Sequence, residues 1–200
     1  LLVRLLPEQV EAQGLLALLL LTRSRAAARI AADGSPVPLA EQNRADWDSA
    51  LIAEGLGLAR AAAGRAGTSR AGAGTYAVQA AIAALHAEAA SFADTDWPQI
   101  VGWYDELLAV RENPVAQLAR AVAVGEADGA QAGLSALADC DETLPRFDAA
   151  HAHLRELAGD GEAAARLFAQ AAEKAQTLGE RDHLLRQAAR LNAGAGSGEG

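Results

Sequence analysis

Alanine is the residue that most constrains this chain, because it occupies 52 of the 200 positions. It is the strongest helix former. The β-branched and aromatic residues that strands prefer are scarce, and aromatic residues make up only 4% of the chain. This composition excludes an all-β fold and predicts an all-α protein.

The charge and the single cysteine exclude several classes of site. The net charge is −9, and after residue 44 twelve basic residues stand against 22 acidic ones. An acidic surface disfavours direct contact with nucleic-acid phosphates. Cys140 alone cannot form an internal disulfide or a multi-cysteine zinc site. The longest leucine-rich run, Leu15 to Leu21, is too short to span a bilayer, and we expect a cytoplasmic protein. Methionine is absent even at position 1, so we expect this to be part of a longer chain.

Proline, glycine and aspartate divide the chain into segments of helical length. Asp96 is predicted to cap a helix whose first turn contains Pro98. The glycine-rich stretch 64–74 reads as a flexible connector, and 194–200 as a disordered end. The other predicted helices cover 7–31, 44–63, 76–90, 113–128, 130–138, 145–158, 162–176 and 180–191.

The helices pair at a regular spacing. The second helix of each pair is predicted to start near Asp96, Gly129 and Glu162, at intervals of 33 residues. That spacing is close to the period of roughly 34 residues found in helix-turn-helix repeats. Within the clearest repeat, 145–177, small and aromatic positions alternate as in the tetratricopeptide pattern. These positions are Ala164, Phe168 and Ala171.

This pattern predicts an all-α, tetratricopeptide-like array of antiparallel helical hairpins, an α-α superhelix, with a non-repeating N-terminal helical region. Residues 1–63 form that N-terminal region. Residues 75–192 form the repeats, and residues 193–200 form the disordered tail.

Two polar residues interrupt apolar helices and are candidate functional residues. Glu54 lies between Ile52 and Leu56 and is expected to be half-buried, and His86 lies in the middle of an alanine-rich helix. Buried polar groups need hydrogen-bond partners. Such a network could be structural, could line a binding pocket, or could form an active site. Its predicted members are Arg44, Asp48, Glu54, Gln79 and His86.

Other reactive residues have simpler interpretations. His151 and His153 lie two positions apart on a helix and point about 200° apart, so they cannot chelate one metal ion. We expect one of them to be interior and the other to be on the surface. Cys140 is interpreted as a small apolar residue.

Four segments, in this order, resemble the C-terminal extension of one group of extracytoplasmic-function sigma factors, which belong to the sigma-70 family. They read WDSALIAEGL (47–56), YAVQAAIAALHAEA (76–89), DTDWPQIVGWYDELL (94–108) and NPVAQLARAVAVGEADGAQAGL (113–134). The resemblance covers about residues 1–192. It implies a tetratricopeptide-type helical domain that follows the two sigma regions, which bind DNA and RNA polymerase and are absent here.

The resemblance implies a regulatory protein-interaction module in bacterial transcription, with no enzymatic activity and no cofactor or metal. Its expected partners are the sigma regions of the same protein, core RNA polymerase or a regulatory protein, with neither nucleic acid nor membrane bound directly. The expected contact surface is the concave face formed by the first helix of each hairpin. Candidate residues on that face are Gln79, His86, Gln117 and Arg120.

Two other functions are weighed against this one. A small-molecule sensor would use a pocket lined by Trp47, Glu54, His86 and Trp103. A hydrolase or transferase would need a nucleophile–base pair or a metal cluster, and the sequence offers neither.

Overall fold

A computed structural model describes residues 8–66 and 74–196, and this part of the chain is helical without a strand. The all-α prediction is confirmed. Within the described residues, two short 3₁₀-helices, Leu39–Glu41 and Arg44–Asp46, accompany nine α-helices. The α-helices are α1 (Val10–Ser24), α2 (Ser49–Ala66), α3 (Thr75–Glu88), α4 (Trp97–Val110), α5 (Pro114–Asp128), α6 (Ala130–Leu137), α7 (Phe147–Leu157), α8 (Gly161–Glu173) and α9 (Leu178–Gly196).

The chain forms two compact units. The N-terminal unit comprises Leu1–Ala31 and Val37–Glu112, and the C-terminal unit comprises Ala32–Pro36 and Asn113–Gly200. Helices α3 and α4, which the sequence assigned to the repeats, thus belong to the same unit as α1 and α2. None of the described helices combines the length and the apolar character needed to cross a membrane.

In the N-terminal unit, α1 lies against both α2 and α3, and those two helices also contact each other. The core between them is small: Ala17 and Leu21 of α1 meet Ala59 of α2 and Ala80 and Ala84 of α3. Helix α3 is buried on most sides, as its sequence predicts. Its buried residues are Ala77, Val78, Ala80, Ala81, Ile82 and Ala84.

Helix α1 touches the start of α3 at Gly14. A Cβ atom added to Gly14 would lie 2.5 Å from the backbone nitrogen of Ala77. Beside this contact, Glu11 of α1 accepts hydrogen bonds from the backbone N–H groups of Tyr76 and Ala77, both at 3.1 Å. A carboxylate on one helix therefore caps the N-terminus of another, where Gly74 has no side chain to do so.

In the C-terminal unit, α5 pairs with α6, α7 pairs with α8, and α9 packs on α8. Glycines at the α5–α6 crossing let the two backbones approach. A Cβ atom on Gly133 would lie 2.6 Å from the Cα of Gly125 and 2.7 Å from Leu154 Cδ2. Phe147 and Leu154 of α7 fill the adjoining core with Leu118, Leu137 and Cys140.

The hairpin spacing follows the sequence prediction. The second helices start at Trp97, Ala130 and Gly161, each within one residue of the predicted position. The small-aromatic-small positions of the clearest repeat are buried and pack against α9. That cluster contains Ala164, Phe168, Ala171, Leu184 and Ala188.

Three helices begin directly after a residue whose side chain caps the helix N-terminus. Asp96, Asn113 and Asp160 each accept a hydrogen bond from the backbone N–H three residues later, as expected of N-cap side chains. Helix α7 starts at Phe147 rather than at Pro145, because Arg146 takes a left-handed conformation with φ of +70°.

Other predicted boundaries were also wrong. Helix α1 ends at Ser24 instead of near residue 31: the Ser24 carbonyl accepts a hydrogen bond from Asp48 N–H, and the Ser24 hydroxyl donates to the Leu21 carbonyl. The predicted helix 44–63 is broken at Trp47, restarts at Ser49 and continues to Ala66, so residues 64–66 of the predicted connector are helical. Helix α9 continues to Gly196, past the predicted end at Leu191. The remainder of the predicted tail, 197–200, and residues 67–73 of the connector lie outside the described residues.

Gly14→Ala is expected to destabilise the protein by about 1–3 kcal/mol, because the added methyl group meets the backbone of α3. Gly57→Ala in α2 is the matched control. A Cβ there meets nothing within 4 Å, so the change should stabilise the protein by about 0.5–1 kcal/mol. Urea unfolding of both variants measures the difference. Equal free energies of unfolding would contradict the close approach of α1 and α3.

Candidate functional site

Trp47 is the centre of a buried cluster in the N-terminal unit. Its side chain is 7% exposed, and two guanidinium groups lie over its ring. The Arg44 Cζ is 4.6 Å and the Arg25 Cζ 5.7 Å from the ring centroid. Both distances are within the range of a cation–π contact. The interruption of the helix at Trp47 places the ring beside both arginines.

Arg44 ties this segment to the end of α3. Its Nη1 donates to the carbonyl oxygens of His86, at 2.6 Å, and Ala89, at 2.8 Å. These carbonyls belong to the C-terminal turn of α3, where the helix carries partial negative charge and a cation is favoured. The contact of Arg44 with α3 is therefore both a hydrogen-bonded cap and an electrostatic one.

His86 is held neutral by its surroundings. Its ring packs edge-on against Trp97, with 5.3 Å between centroids. Burial, followed by the positive charges of Arg25 and Arg44, lowers the pKa of His86 to about 4. At neutral pH its imidazole is uncharged, with one ring nitrogen a donor and the other an acceptor.

Three buried polar atoms in this cluster have no hydrogen-bond partner among the described residues: Arg44 Nη2, Trp47 Nε1 and His86 Nδ1. Two of them are N–H donors. Such groups are normally satisfied by water or by a bound polar molecule. The cluster therefore has unused capacity to donate hydrogen bonds to an oxygen atom.

The structure joins two of the five residues of the predicted network. Arg44 donates a hydrogen bond to the backbone carbonyl of His86. Asp48 caps α2, since its Oδ1 accepts from the N–H groups of Ala50 and Leu51, both at 3.0 Å. Glu54 is exposed, so the expectation that it is half-buried was wrong. Helix α2 turns Gly55 and Ala59 toward the core instead. Gln79 donates to the Thr75 carbonyl one turn earlier in α3, at 3.2 Å.

The remaining predicted residues occupy both units. Trp103 is half-buried in α4. It belongs to the N-terminal unit, as do Gln79 and His86 of α3. In the C-terminal unit, Gln117 donates to the Asp139 carbonyl at 3.0 Å and so links α5 to the end of α6. Arg120 is half-buried in α5.

His151 and His153 have separate partners. His153 Nε2 lies 2.6 Å from Glu126 Oε1, and His151 accepts a hydrogen bond from Arg155 Nε at 3.1 Å. Both histidines are half-buried, so the expectation of one interior and one surface residue was wrong. The part of the chain that the structure describes contains no group of three or more His, Cys, Asp or Glu side chains arranged to hold a metal ion.

Cys140 is buried, as its interpretation as an apolar residue requires. Burial, with a smaller contribution from Asp139, raises the pKa of its thiol. A raised pKa disfavours the thiolate that nucleophilic chemistry needs.

Sequence reasoning missed a cleft of about 440 Å³ in the C-terminal unit, between the start of α7, the end of α8 and the start of α9. We call it the α7–α9 cleft. The sequence marks it only weakly, through Pro145 and the charged residue Arg146 that follows it. The left-handed conformation of Arg146 is visible only in the structure. The cleft is lined by residues 142–149, Ala171, residues 174–176, Glu180 and Leu184.

Comparison with known proteins gives two sequence matches. Residues 1–63 match DUF6596, a family of unknown function. An uncharacterized protein of Rhizobium meliloti (strain 1021) is 41% identical over 147 residues, which cover 74% of this chain and 34% of that protein. The chain thus spans about a third of the length of the curated relative that it matches. No solved structure matches it.

The lowered pKa of His86 predicts acid sensitivity. Below pH 6.5 the unfolded state takes up a proton at this side chain that the folded state resists until about pH 4. The free energy of unfolding should therefore fall between pH 6.5 and pH 4, with His86 contributing up to roughly 3 kcal/mol. Urea unfolding at several pH values measures the slope. His86→Gln should flatten it, and an unchanged slope in that variant would refute the assignment.

Proposed function

We propose that this chain is the regulatory C-terminal domain of an extracytoplasmic-function sigma factor. It would act in the bacterial cytoplasm, without enzymatic activity of its own. It modulates transcription initiation by contacting the sigma regions of the same protein, core RNA polymerase or a partner protein. The proposal rests on the resemblance of the four sequence segments.

The helical hairpins also support the proposal. Arrays of such hairpins present extended surfaces, and proteins use them as scaffolds for binding other proteins. The four segments fall on helix α2, helix α3, helix α4 and the α5–α6 hairpin. The segments that carry the resemblance therefore lie on consecutive helices of the fold.

The distribution of the polar residues in these segments also supports an interaction module. Asp48, Asp96 and Asn113 use their side chains to cap helices.

The acidic net charge of −9 favours contact with a basic protein surface over contact with nucleic acid. The Rhizobium meliloti relative extends well beyond the matched segment, which leaves length for the sigma regions that the resemblance implies.

Transcription from purified core polymerase and the full-length protein, with and without this domain, tests the proposal. Loss of transcript on deletion identifies an activating contact, and a gain identifies an inhibitory one. Gly14→Ala in the full-length protein should act in the same direction as the deletion, because it disturbs the packing of α1 on α3. The exposed Gly57→Ala change is the control and should leave the transcript level unchanged. No effect of deletion would contradict the proposal.

Photo-crosslinkers at Gln79 and Arg120 locate the contact. We expect crosslinks to the sigma regions, to polymerase or to a regulatory protein from positions 79 and 120, and none from a probe at Gly57. Crosslinks from position 57 alone would place the interface on another face.

A small-molecule site is the second candidate function. It is favoured by three buried polar atoms, of Arg44, Trp47 and His86, that have no hydrogen-bond partner within the part of the chain that the structure describes. Their unused N–H donors and the nearby Arg25 suit a carboxylate. A panel of small mono- and dicarboxylates should then raise the melting temperature by mass action. Trp47→Phe removes the Nε1 donor and should abolish the rise. If no carboxylate raises the melting temperature of the parent protein, this second candidate is wrong.

A further inference from the structure

The α7–α9 cleft has acidic groups inside and basic groups at its rim. The side chains of Asp148 and Glu180 are 14% and 22% exposed, whereas those of Lys174 and Arg146 are 70% and 77% exposed. Lys174 Nζ lies 2.5 Å from Asp148 Oδ2, and Arg146 Nε lies 3.1 Å from Glu180 Oε1. Each half-buried carboxylate is therefore paired with one exposed cation.

The carboxylates are the fixed charges of the cleft. Asp148 is in the first turn of α7 and Glu180 in the first turn of α9, where the helix dipole favours negative charge. The two cations lie outside these helices: Arg146 precedes α7 and Lys174 follows α8. The side chains of Lys174 and Arg146 are exposed, so each can return to water when another cation takes its place at the carboxylate.

Asp148 Oδ2 is buried, and its ion pair with Lys174 is not accompanied by a hydrogen bond from any other described residue. A cation that took the place of Lys174 could supply the same charge and donate a hydrogen bond to this oxygen.

The walls beside these carboxylates are apolar. Leu144, Phe147 and Leu184 line the cleft, and the last two are buried. Its volume lies within the range of about 300–1,000 Å³ that is typical of ligand sites. Lysine and arginine carry aliphatic stems that pack on such walls while their charged ends reach a carboxylate.

We propose that the α7–α9 cleft binds a lysine or arginine side chain, flanked by aliphatic residues, from a basic segment of a partner protein. The incoming cation displaces Lys174 or Arg146 from its carboxylate. Charge complementarity favours this occupant, since residues 113–200 contain eight basic and thirteen acidic residues. This inference rests on the proposed interaction function and deepens it by naming the chemistry of the partner segment.

An anionic ligand fits the cleft less well. It could pair with Lys174 and Arg146 at the rim, but it would then face the carboxylates of Asp148 and Glu180 behind them. Repulsion between like charges in a partly buried site is unfavourable. The two possibilities predict opposite effects of removing the basic residues.

Fluorescence polarisation with the 200-residue chain tests the proposal. The probes are labelled hexapeptides with one arginine or lysine between leucines, compared with glutamine-substituted versions of the same peptides. We expect the basic peptides to bind preferentially. Asp148→Asn with Glu180→Gln should weaken that binding at least about tenfold, equivalent to about 1.4 kcal/mol. The control pair, Glu162→Gln with Glu173→Gln on α8, removes the same charge outside the cleft and should leave the affinity unchanged.

Removal of the covering cations gives the sharper test. Arg146→Ala and Lys174→Ala alter exposed side chains, so these variants should fold normally. They should strengthen binding of the basic peptides, because a competitor for each carboxylate is gone. Weaker binding in these variants would overturn the proposal, as would equal binding of basic and glutamine peptides. Circular dichroism melting of each variant separates loss of binding from loss of folding.

Three further outcomes are distinguishable. Equally tight binding of spermidine, lost in the Asp148→Asn and Glu180→Gln variant, would identify a site for small organic cations and would refute a peptide partner. The transcription assay tests the proposed sigma-factor function independently of peptide binding to the cleft. If deletion of the domain changes transcription but the cleft variants do not alter peptide binding, only this inference fails. If the peptides bind as expected but deletion has no effect, the sigma-factor function fails.

Discussion

Close approach of helix backbones is the constraint on which both units depend. Gly14 lets α1 meet the start of α3, and Gly125 and Gly133 let α5 meet α6. The core beside Gly125 and Gly133 contains larger residues such as Phe147 and Leu154, but the core beside Gly14 consists mainly of alanine, which contributes little apolar area per residue. The stability of such a core therefore comes from many short contacts between well-fitted surfaces, and single added methyl groups are costly.

The close contacts also decide how helix ends are satisfied. Where α1 reaches α3, Glu11 caps a helix to which it does not belong. Just before the helical structure is interrupted at Trp47, Arg44 caps the C-terminus of α3 by donating to the His86 and Ala89 carbonyls. Both termini of α3 are thus held by side chains that are distant in sequence, and the buried polar cluster around Trp47 arises from this arrangement.

Sequence reasoning succeeded where the physical cause was local. Asp96 was predicted to cap the helix that follows it and does so, because an N-cap needs only its own side chain and the next turn. It did less well for the candidate site. Glu54 was expected to be half-buried from its apolar neighbours in sequence, but α2 packs through its other face. The α7–α9 cleft was missed because its charges come from three helices brought together only by packing.

The sequence by itself determined the all-α class, the hairpin spacing and most helix starts, since alanine content, periodicity and capping residues act over one or two turns. Tertiary structure alone decided the end of α1 at Ser24, the burial of Trp47 beside two arginines, and the pairing of Asp148 with Lys174. These features depend on contacts between residues far apart along the chain. Their energies come from burial and charge pairing in a shared environment, which no local pattern encodes.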